Sequence, residues 1–405
     1  MSDILIIGGG IGGLTLALEL HRLGIACQVY ESAPQIKAVG VGINLLPHAN
    51  RVLDDLGLLP ALAALAVETK EAAFFNRFGQ LIYREPLGRY AGYEWPQLSI
   101  HRGDLQKVLL DAVTSRLGAD KVHLGRHLAR FEQDDRAVTA HFRGGTPVKG
   151  RALIGCDGIH SVVRAQLYPD EGEPRYSGIN MWRGVTRWKP VLSGATMTRA
   201  GWLKGGKLVH YPIRNDIDAE GRQLVNWLWE IETPDYKRWD WNRPARVEDF
   251  IDGAADWKFD WLDVPAFFGA ADVVLEYPMV DKDPLPAWSF GRVTLLGDAA
   301  HPMYPRGSNG AGQAILDVRA LGTCLQDPDV TKALKDYEAQ RLAPTSSVVL
   351  ENRRNPPDAI LREIYERTGD RPFRSIEEVI TPEELRAMSD RYKGVAGYDK
   401  ASLQA

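Results

Sequence analysis

The chain has 405 residues, about two to three domains' worth at roughly 150 residues each. Its 44% hydrophobic and 25% charged residues are ordinary for a globular protein with a large buried core. With 49 basic against 53 acidic residues the net charge is −4, which leaves no surplus for a phosphate backbone and argues against nucleic-acid binding. No apolar run approaches the roughly 20 residues of a membrane span. Met1-Ser2-Asp3 leads at once into an apolar run, without a basic n-region or cleavage site, so a cytoplasmic protein is expected. Cys27, Cys156 and Cys324 lie far apart and form no CxxC pair; they read as small hydrophobes in a reducing compartment, and no metal site is expected.

Asp3-Ile4-Leu5-Ile6-Ile7 has the continuous apolar character of a parallel strand buried on both faces. It runs into Gly8-Gly9-Gly10-Ile11-Gly12-Gly13 and then into Leu14–Leu20, which is helical in composition. A second apolar segment, Ala26–Tyr30, ends at Glu31, 18 residues after Gly13. Gly8, Gly10 and Gly13 therefore form G-x-G-x-x-G between a strand and a helix. The first glycine permits the tight turn, the second lets backbone approach a pyrophosphate, and the third lets helix and strand pack closely. The helix N-terminus offers oriented donors to the anion, and Glu31 can accept from a ribose hydroxyl. This predicts dinucleotide binding, with NAD and FAD equally open at this point.

Two later segments repeat the strand-then-acid pattern. Arg151–Cys156 leads to Asp157-Gly158, followed by a helix start at His160–Arg164. Arg292–Leu296 leads to Gly297-Asp298. Ligands of open α/β sheets sit beyond such strand ends, where an acid can bond a polyol. Pro305-Arg306-Gly307-Ser308-Asn309-Gly310-Ala311-Gly312-Gln313 follows, and a helix is expected from about Ala314. Its glycines would aim backbone N–H groups at something electron-rich, such as a flavin pyrimidine ring.

These three ordered motifs resemble those of the single-component (class A) FAD-dependent aromatic monooxygenases, the para-hydroxybenzoate hydroxylase-like flavoproteins, over roughly residues 1–350. Gly40-Val41-Gly42-Ile43-Asn44, His101–Leu105 and Tyr277–Asp281 are most similar to the salicylate, 6-hydroxynicotinate and phenazine-carboxylate hydroxylase branch. The resemblance implies an α/β fold, α+β in part: a Rossmann-like FAD-binding domain, an inserted, mostly antiparallel substrate sheet and a helical tail. It implies that Glu31 holds the adenosine ribose, Arg102 and Gln106 lie along the pyrophosphate and ribityl region, and Asp298 binds the ribityl chain. The Gly310-Ala311-Gly312 backbone would face the flavin edge, and Asp157-Gly158 is associated with both FAD and NAD(P)H. Gly8, Gly10, Ile11, Gly12, Gly13, Ser32, Val41, Gly297 and Pro305 complete the expected cofactor contacts. The reaction implied is NAD(P)H- and O2-dependent hydroxylation of a small electron-rich aromatic or heteroaromatic compound through a flavin C4a-hydroperoxide. The cofactor carries that chemistry, while the protein orients, excludes water and sets the electrostatics.

Nine of the eleven tryptophans fall between Trp182 and Trp261. In Leu224–Ile231, period-2 alternation puts Trp227 and Trp229 on one face and Asn226, Leu228 and Glu230 on the other. A sheet roofing the flavin is expected, with Trp227 and Pro305 as substrate contacts. His48 and Tyr211 are the candidate catalytic and substrate-binding groups, because the resemblance implies a histidine and a tyrosine at similar positions that orient or deprotonate the substrate. Thr381-Pro382-Glu383-Glu384 and Ser375-Ile376-Glu377-Glu378 both read as capping boxes of a helical tail. The division expected is 1–75, 100–175 and 285–350 for FAD, 76–99 and 176–284 for substrate, and 351–405 for the tail, in a monomer or homodimer. Two alternatives stay open. Trp227-Leu228-Trp229-Glu230-Ile231 resembles the start of the halogenase W-x-W-x-I-P signature, although Glu232 stands where the proline belongs. A non-catalytic binding module is the other.

Overall fold

The computed structural model describes residues 3–36, 40–235 and 243–404; Trp239 and Trp241 lie outside them. Strand Ile4–Ile7 sits inside a six-stranded sheet, paired in parallel with Cys27–Tyr30 on one side and Ala152–Gly155 on the other. Val293–Leu295 extends it in parallel beyond Ala152–Gly155, and Val122–His123 beyond Cys27–Tyr30; only the outer Ser289–Phe290 pairing is antiparallel. Every residue of Ile4–Ile7 and Ala152–Gly155 is buried, as the apolar runs require. Helix Ile11–Arg22 packs between helices Arg102–Leu117 and Gly310–Cys324. Chain order and spatial order differ here, so the carboxyl ends of segments about 150 residues apart converge on one edge.

A second sheet has eight strands, in the order Arg243–Ala245, Ala271–Asp281, Arg175–Trp188, Gln223–Glu232, Lys207–Arg214, Thr196–Gly201, Glu71–Phe75 and Leu81–Pro86. All its neighbours are antiparallel except Thr196–Gly201 with Glu71–Phe75. Glu71–Phe75 was expected with the cofactor-binding segments, yet its backbone pairs with Thr196–Ala200, so the second sheet takes it up. Two three-stranded sheets complete the β structure. One is the meander Leu128–Gln133, Val138–Phe142 and Val148–Gly150; the other joins Gly42–Leu45, Leu98–His101 and Val67–Glu68.

The tail is helical, with Ala359–Thr368, Pro382–Ala396 and Lys400–Gln404 following the long helix Val330–Arg354. Thr381 forms its capping box: its hydroxyl accepts from Glu384 N and its own amide donates to the Glu384 carboxylate. Ser375 does not; its hydroxyl bonds Glu377, and only the single turn Ile376–Glu378 follows. Among the described residues no helix is long and apolar enough to cross a membrane. Cys27 is buried and its thiol is pushed up to about 12 by that burial, as a small core hydrophobe should be.

Candidate functional site

The first turn is built by steric necessity. Gly8 has φ +108°, and a Cβ there would lie 2.3 Å from the Cys156 carbonyl oxygen. A Cβ on Gly13 would lie 2.0 Å from the Gly8 oxygen, so helix and strand meet backbone to backbone. Gly10 differs: a Cβ there would meet nothing within 4 Å. It is the N-cap of Ile11–Arg22 and supplies no side-chain cap, so no side chain covers the first-turn amides there. Glu31 closes this cradle. One carboxylate oxygen accepts from Gly9 N at 2.7 Å, the other from Ala33 N at 2.7 Å and the Ser32 hydroxyl at 3.1 Å. Gln106 donates to the Gly9 oxygen at 3.0 Å, and Arg102, exposed at the start of its helix, takes its backbone bond from its amide to the Val41 oxygen.

Asp157 and Asp298, alike in sequence, do different work. Asp157 turns inward, accepting from the Ser161 hydroxyl at 2.5 Å and from Val162 N at 2.7 Å, and so braces the start of helix Val162–Leu167, whose N-cap is Ser161. Both its oxygens are engaged by protein, and burial raises its pKa against those bonds. Gly158 beside it has φ +77° and open space at its Cβ position. Asp298 is exposed, and no described side chain or amide bonds its carboxylate. A Cβ on Gly310 would lie 3.8 Å from its Oδ1, so the acid stands at the mouth of the next helix.

That helix begins at Gly310, four residues before the expected start, which makes Gly310, Ala311 and Gly312 its first turn. Asn309, the N-cap, offers no side-chain cap; its Nδ2 donates instead to the Gly307 oxygen and the Tyr392 hydroxyl. Pro305 is exposed at the head of the preceding turn, and Ser308 holds φ +54° between the two.

Sequence reasoning missed what clamps these pieces. Arg164, 1% exposed, donates to the carbonyls of Ala299 and Ala300 at 3.1 and 2.9 Å while forking onto Glu171. From the other side buried Asp317 accepts from Gly297 N, His301 and Arg341. Burial alone would raise the Asp317 pKa, but the His301 and Arg341 charges outweigh it and hold it low. The turn carrying Asp298 is thus fixed on both flanks with only its carboxylate left outward. Arg164 stands in the quoted His160–Arg164 run, but nothing local marks its partners 135 residues away.

The two halves meet at Gly42, whose amide donates to Asn226 Oδ1 at 2.7 Å and whose oxygen accepts from Arg183. A Cβ on Gly42 would lie 2.6 Å from that of Asn226. Tyr211, opposite Asn226 in register, faces the same side, with Asn44 and Arg183 as polar neighbours and Val209, Leu228 and Met279 in its apolar cluster. Burial raises its pKa, so it is a neutral phenol. Trp227, expected to touch substrate, faces the other way. It lies opposite His210, its Nε1 bonds Thr186 Oγ1, and its ring packs 4.5 Å from Phe268. The outer face of the sheet is covered by Phe250, Trp257, Phe267 and Phe268, so the tryptophans there are core.

His48 packs against Gly312 and the tail. It is 1% exposed on helix Pro47–Asp55, its ring is 5.6 Å from that of Tyr398, and a Cβ on Gly312 would lie 3.1 Å from it. Neither ring nitrogen has a hydrogen-bond partner. Burial, then the charge of Arg341, push its pKa down to about 3 against a smaller pull from Asn309. Burial takes His210 to about 3 as well. Both rings are neutral in the folded chain, and between pH 6.5 and 3 they take up protons only on unfolding. Stability is therefore complete above 6.5 and declines as pH falls, by about 2 kcal/mol per histidine at pH 5. Urea unfolding at pH 7.5 and 5 should show this difference, and His210→Phe should remove one histidine's share; an unaltered pH slope in the variant would contradict it.

A cradle open at Gly10, a carboxylate at each of two strand ends and an uncapped glycine helix start fit FAD. The family of FAD binding domains matches residues 1–191 and 280–351. The chain is 45% identical over 365 residues to the phenazine 1,6-dicarboxylic acid hydroxylase PhzS of Lysobacter antibioticus, covering 87% of this chain and 89% of that one. The chain belongs to the class A FAD-dependent aromatic monooxygenases. The monooxygenase is also 36% identical over 362 residues to the 3-amino-4-hydroxybenzoate 2-monooxygenase of Streptomyces cremeus, covering 87% and 86% of the two chains. Its fold superposes on Klebsiella pneumoniae HpxO complexed with FAD and uric acid, with a TM-score of 0.78, 25% identity and 96% of each chain covered. It is a flavoprotein that uses FAD and O2 to hydroxylate a small aromatic substrate. Asp298→Ala should weaken FAD binding by about one to two decades, the worth of a carboxylate's hydrogen bonds to a polyol. Folding should be unaffected, since no protein group relies on that carboxylate. Fluorescence titration measures this, and unchanged affinity would refute the role.

Proposed function

We propose that this monooxygenase hydroxylates a hydroxylated aromatic or heteroaromatic acid, consuming one NAD(P)H, one proton and one O2 to yield the further-hydroxylated ring, NAD(P)+ and water. The observation that carries this reading is Tyr211, buried against Asn44 and beside Arg183, where strand Gly42–Leu45 meets the second sheet. Cationic Arg183 and Arg102 lie within electrostatic reach of the Tyr277 ring. That charge suits an acid, as do relatives named for a phenazine dicarboxylic acid and a hydroxybenzoate.

Bound FAD supplies the oxygen-activating chemistry. Gly8, Gly10, Ile11, Gly12 and Gly13 cradle its pyrophosphate, with Arg102 and Gln106 alongside. Glu31, set by Ser32, takes the ribose, and Asp298 takes the ribityl chain. Gly310, Ala311 and Gly312 present amides to the ring edge, and Val41 and Pro305 flank it. Asp157 and Gly158 act indirectly, by shaping the turn under Gly8. Tyr211 Oη orients the substrate hydroxyl by accepting its hydrogen bond. A base works best with a pKa near the operating pH, so His48, at about 3, is a neutral brace for Gly312 and not the general base.

The test is substrate-stimulated NAD(P)H oxidation over a panel of hydroxylated aromatic and heteroaromatic acids, each compared with its decarboxylated analogue. Stimulation by the neutral analogues alone would overturn the acid. Once a substrate is found, Tyr211→Phe should lower product formation by about 10²-fold, the low end for a positioned proton-handling group, with FAD still bound. Wild-type rate and coupling in Tyr211→Phe would remove the residue from the reaction.

A further inference from the structure

Behind the flavin-facing helix lies a half-open pocket of about 340 Å3, lined by helices Pro47–Asp55, Gly310–Cys324 and Val330–Arg354 and by the tail. Its volume is in the range of small-ligand pockets. The body of the cavity is apolar, with Val52, Leu316, Pro344, Val348 and Val395 in its walls. Its polar lining is one-sided: Arg51, Arg319 and Arg341 contribute, and no aspartate or glutamate does.

Several of these donors are unspent. Arg341 is committed to Asp317 and Gln313. Arg319 is held by Glu19 and Asp55 through Nε and Nη1, but its Nη2 is buried without a hydrogen-bond partner. Arg51 donates to the Leu403 carbonyl and lies over the Trp95 ring, with no carboxylate paired to it among the described residues. His48, 1% exposed, lines the same space with both ring nitrogens unpartnered. Buried donors without acceptors are costly, and a single anion would satisfy them together.

We propose that this cavity is a second ligand site, separate from the substrate cleft, that takes a small monocarboxylate with an apolar body. The carboxylate accepts from Arg319 Nη2, Arg51 and the His48 ring, and the body fills the space between Leu316 and Val348. Such a ligand would rest against His48 and so against Gly312, behind the turn that faces the flavin.

The experiment is calorimetric titration of the FAD-loaded protein with benzoate, in wild type, Val348→Trp and Arg51→Gln. Val348→Trp fills the cavity and should lower the number of benzoates bound per chain by one. Arg51→Gln, on a partly exposed side chain, should weaken that same site by about tenfold or more without changing FAD content. Benzyl alcohol, of similar shape but neutral, should not bind there. Unchanged stoichiometry in Val348→Trp, unchanged affinity in Arg51→Gln, or equal binding of benzyl alcohol would each overturn the proposal. Because the readout is the difference between variants, it is independent of whether benzoate also enters the Tyr211 cleft.

Discussion

Gly10→Val should fold and fail to hold FAD. The three motif glycines are not equivalent, and their surroundings separate them. Replacing Gly8 or Gly13 forces a Cβ to within 2.3 Å of one backbone oxygen or 2.0 Å of another, so the turn itself must move. At Gly10 a side chain meets no protein atom within 4 Å, so the apoprotein tolerates it at the cost of a poorer N-cap, about 1 kcal/mol or less. The valine instead occupies the space before the first-turn amides of Ile11–Arg22, where pyrophosphate oxygens must come. Losing two charge-assisted bonds costs about 3–6 kcal/mol, two to four decades of affinity. Gly10→Val should therefore purify colourless, with an unfolding transition close to that of wild-type apoprotein. Stoichiometric flavin in the soluble variant would contradict the cradle. An unfolded variant would show that Gly10 serves the turn, as Gly13 does.

Arg164→Ala should be the most destabilising single change at the site. The guanidinium is buried, and removing it leaves two carbonyls, of Ala299 and Ala300, without their donor. It also leaves Glu171 with Lys282, at 2.7 Å, as its remaining cation. Breaking a buried pair by deleting one partner typically costs about 3–5 kcal/mol. The surviving Lys282 contact argues for the lower part of that range. Urea unfolding of the apoprotein should show the loss directly, and FAD affinity should fall with it because the Asp298 turn is released on one flank. Lys282→Ala, which removes a less buried partner and leaves Arg164 in place, should cost well under half as much. Equal losses in the two variants, or a loss below about 1 kcal/mol in Arg164→Ala, would assign the clamp elsewhere.

The cofactor motifs were legible because each answers a local demand. A strand that must turn directly into a helix needs a residue with positive φ at Gly8 and no side chain at Gly13, and both demands are visible in a ten-residue window. The tryptophan faces were legible too: period-2 spacing correctly put Trp227 and Trp229 on one side of their strand. Which side looks toward the cofactor was not, since it depends on Asn226 meeting Gly42, 184 residues earlier. Asp157 and Asp298 show the same limit. Both end a strand, but Ser161 and Val162 fold back over Asp157, whereas the backbone after Asp298 is drawn away by Arg164. His48 was singled out by the family resemblance, and the pocket beside it depends on tail residues such as Val395 that carry no local sign of the role.

The tail's grip on the glycine turn bears on when the enzyme matures during its own synthesis. The Tyr392 hydroxyl occupies the place a Cβ on Gly307 would need, 1.5 Å away, and also bonds Asn309 and Asn352. The first strand, Ile4–Ile7, is made at the outset, but the sheet beside it awaits Val293–Leu295 and the flavin-facing turn awaits Tyr392. At about 5–20 residues per second Val293–Leu295 emerges roughly 15–60 s after Ile4–Ile7. Ile4–Ile7 can pair with Cys27–Tyr30 and Ala152–Gly155 before then, but the sheet still lacks its outer parallel strand. FAD meets a finished pocket only after Tyr392 has been made and has closed on the Gly307 turn.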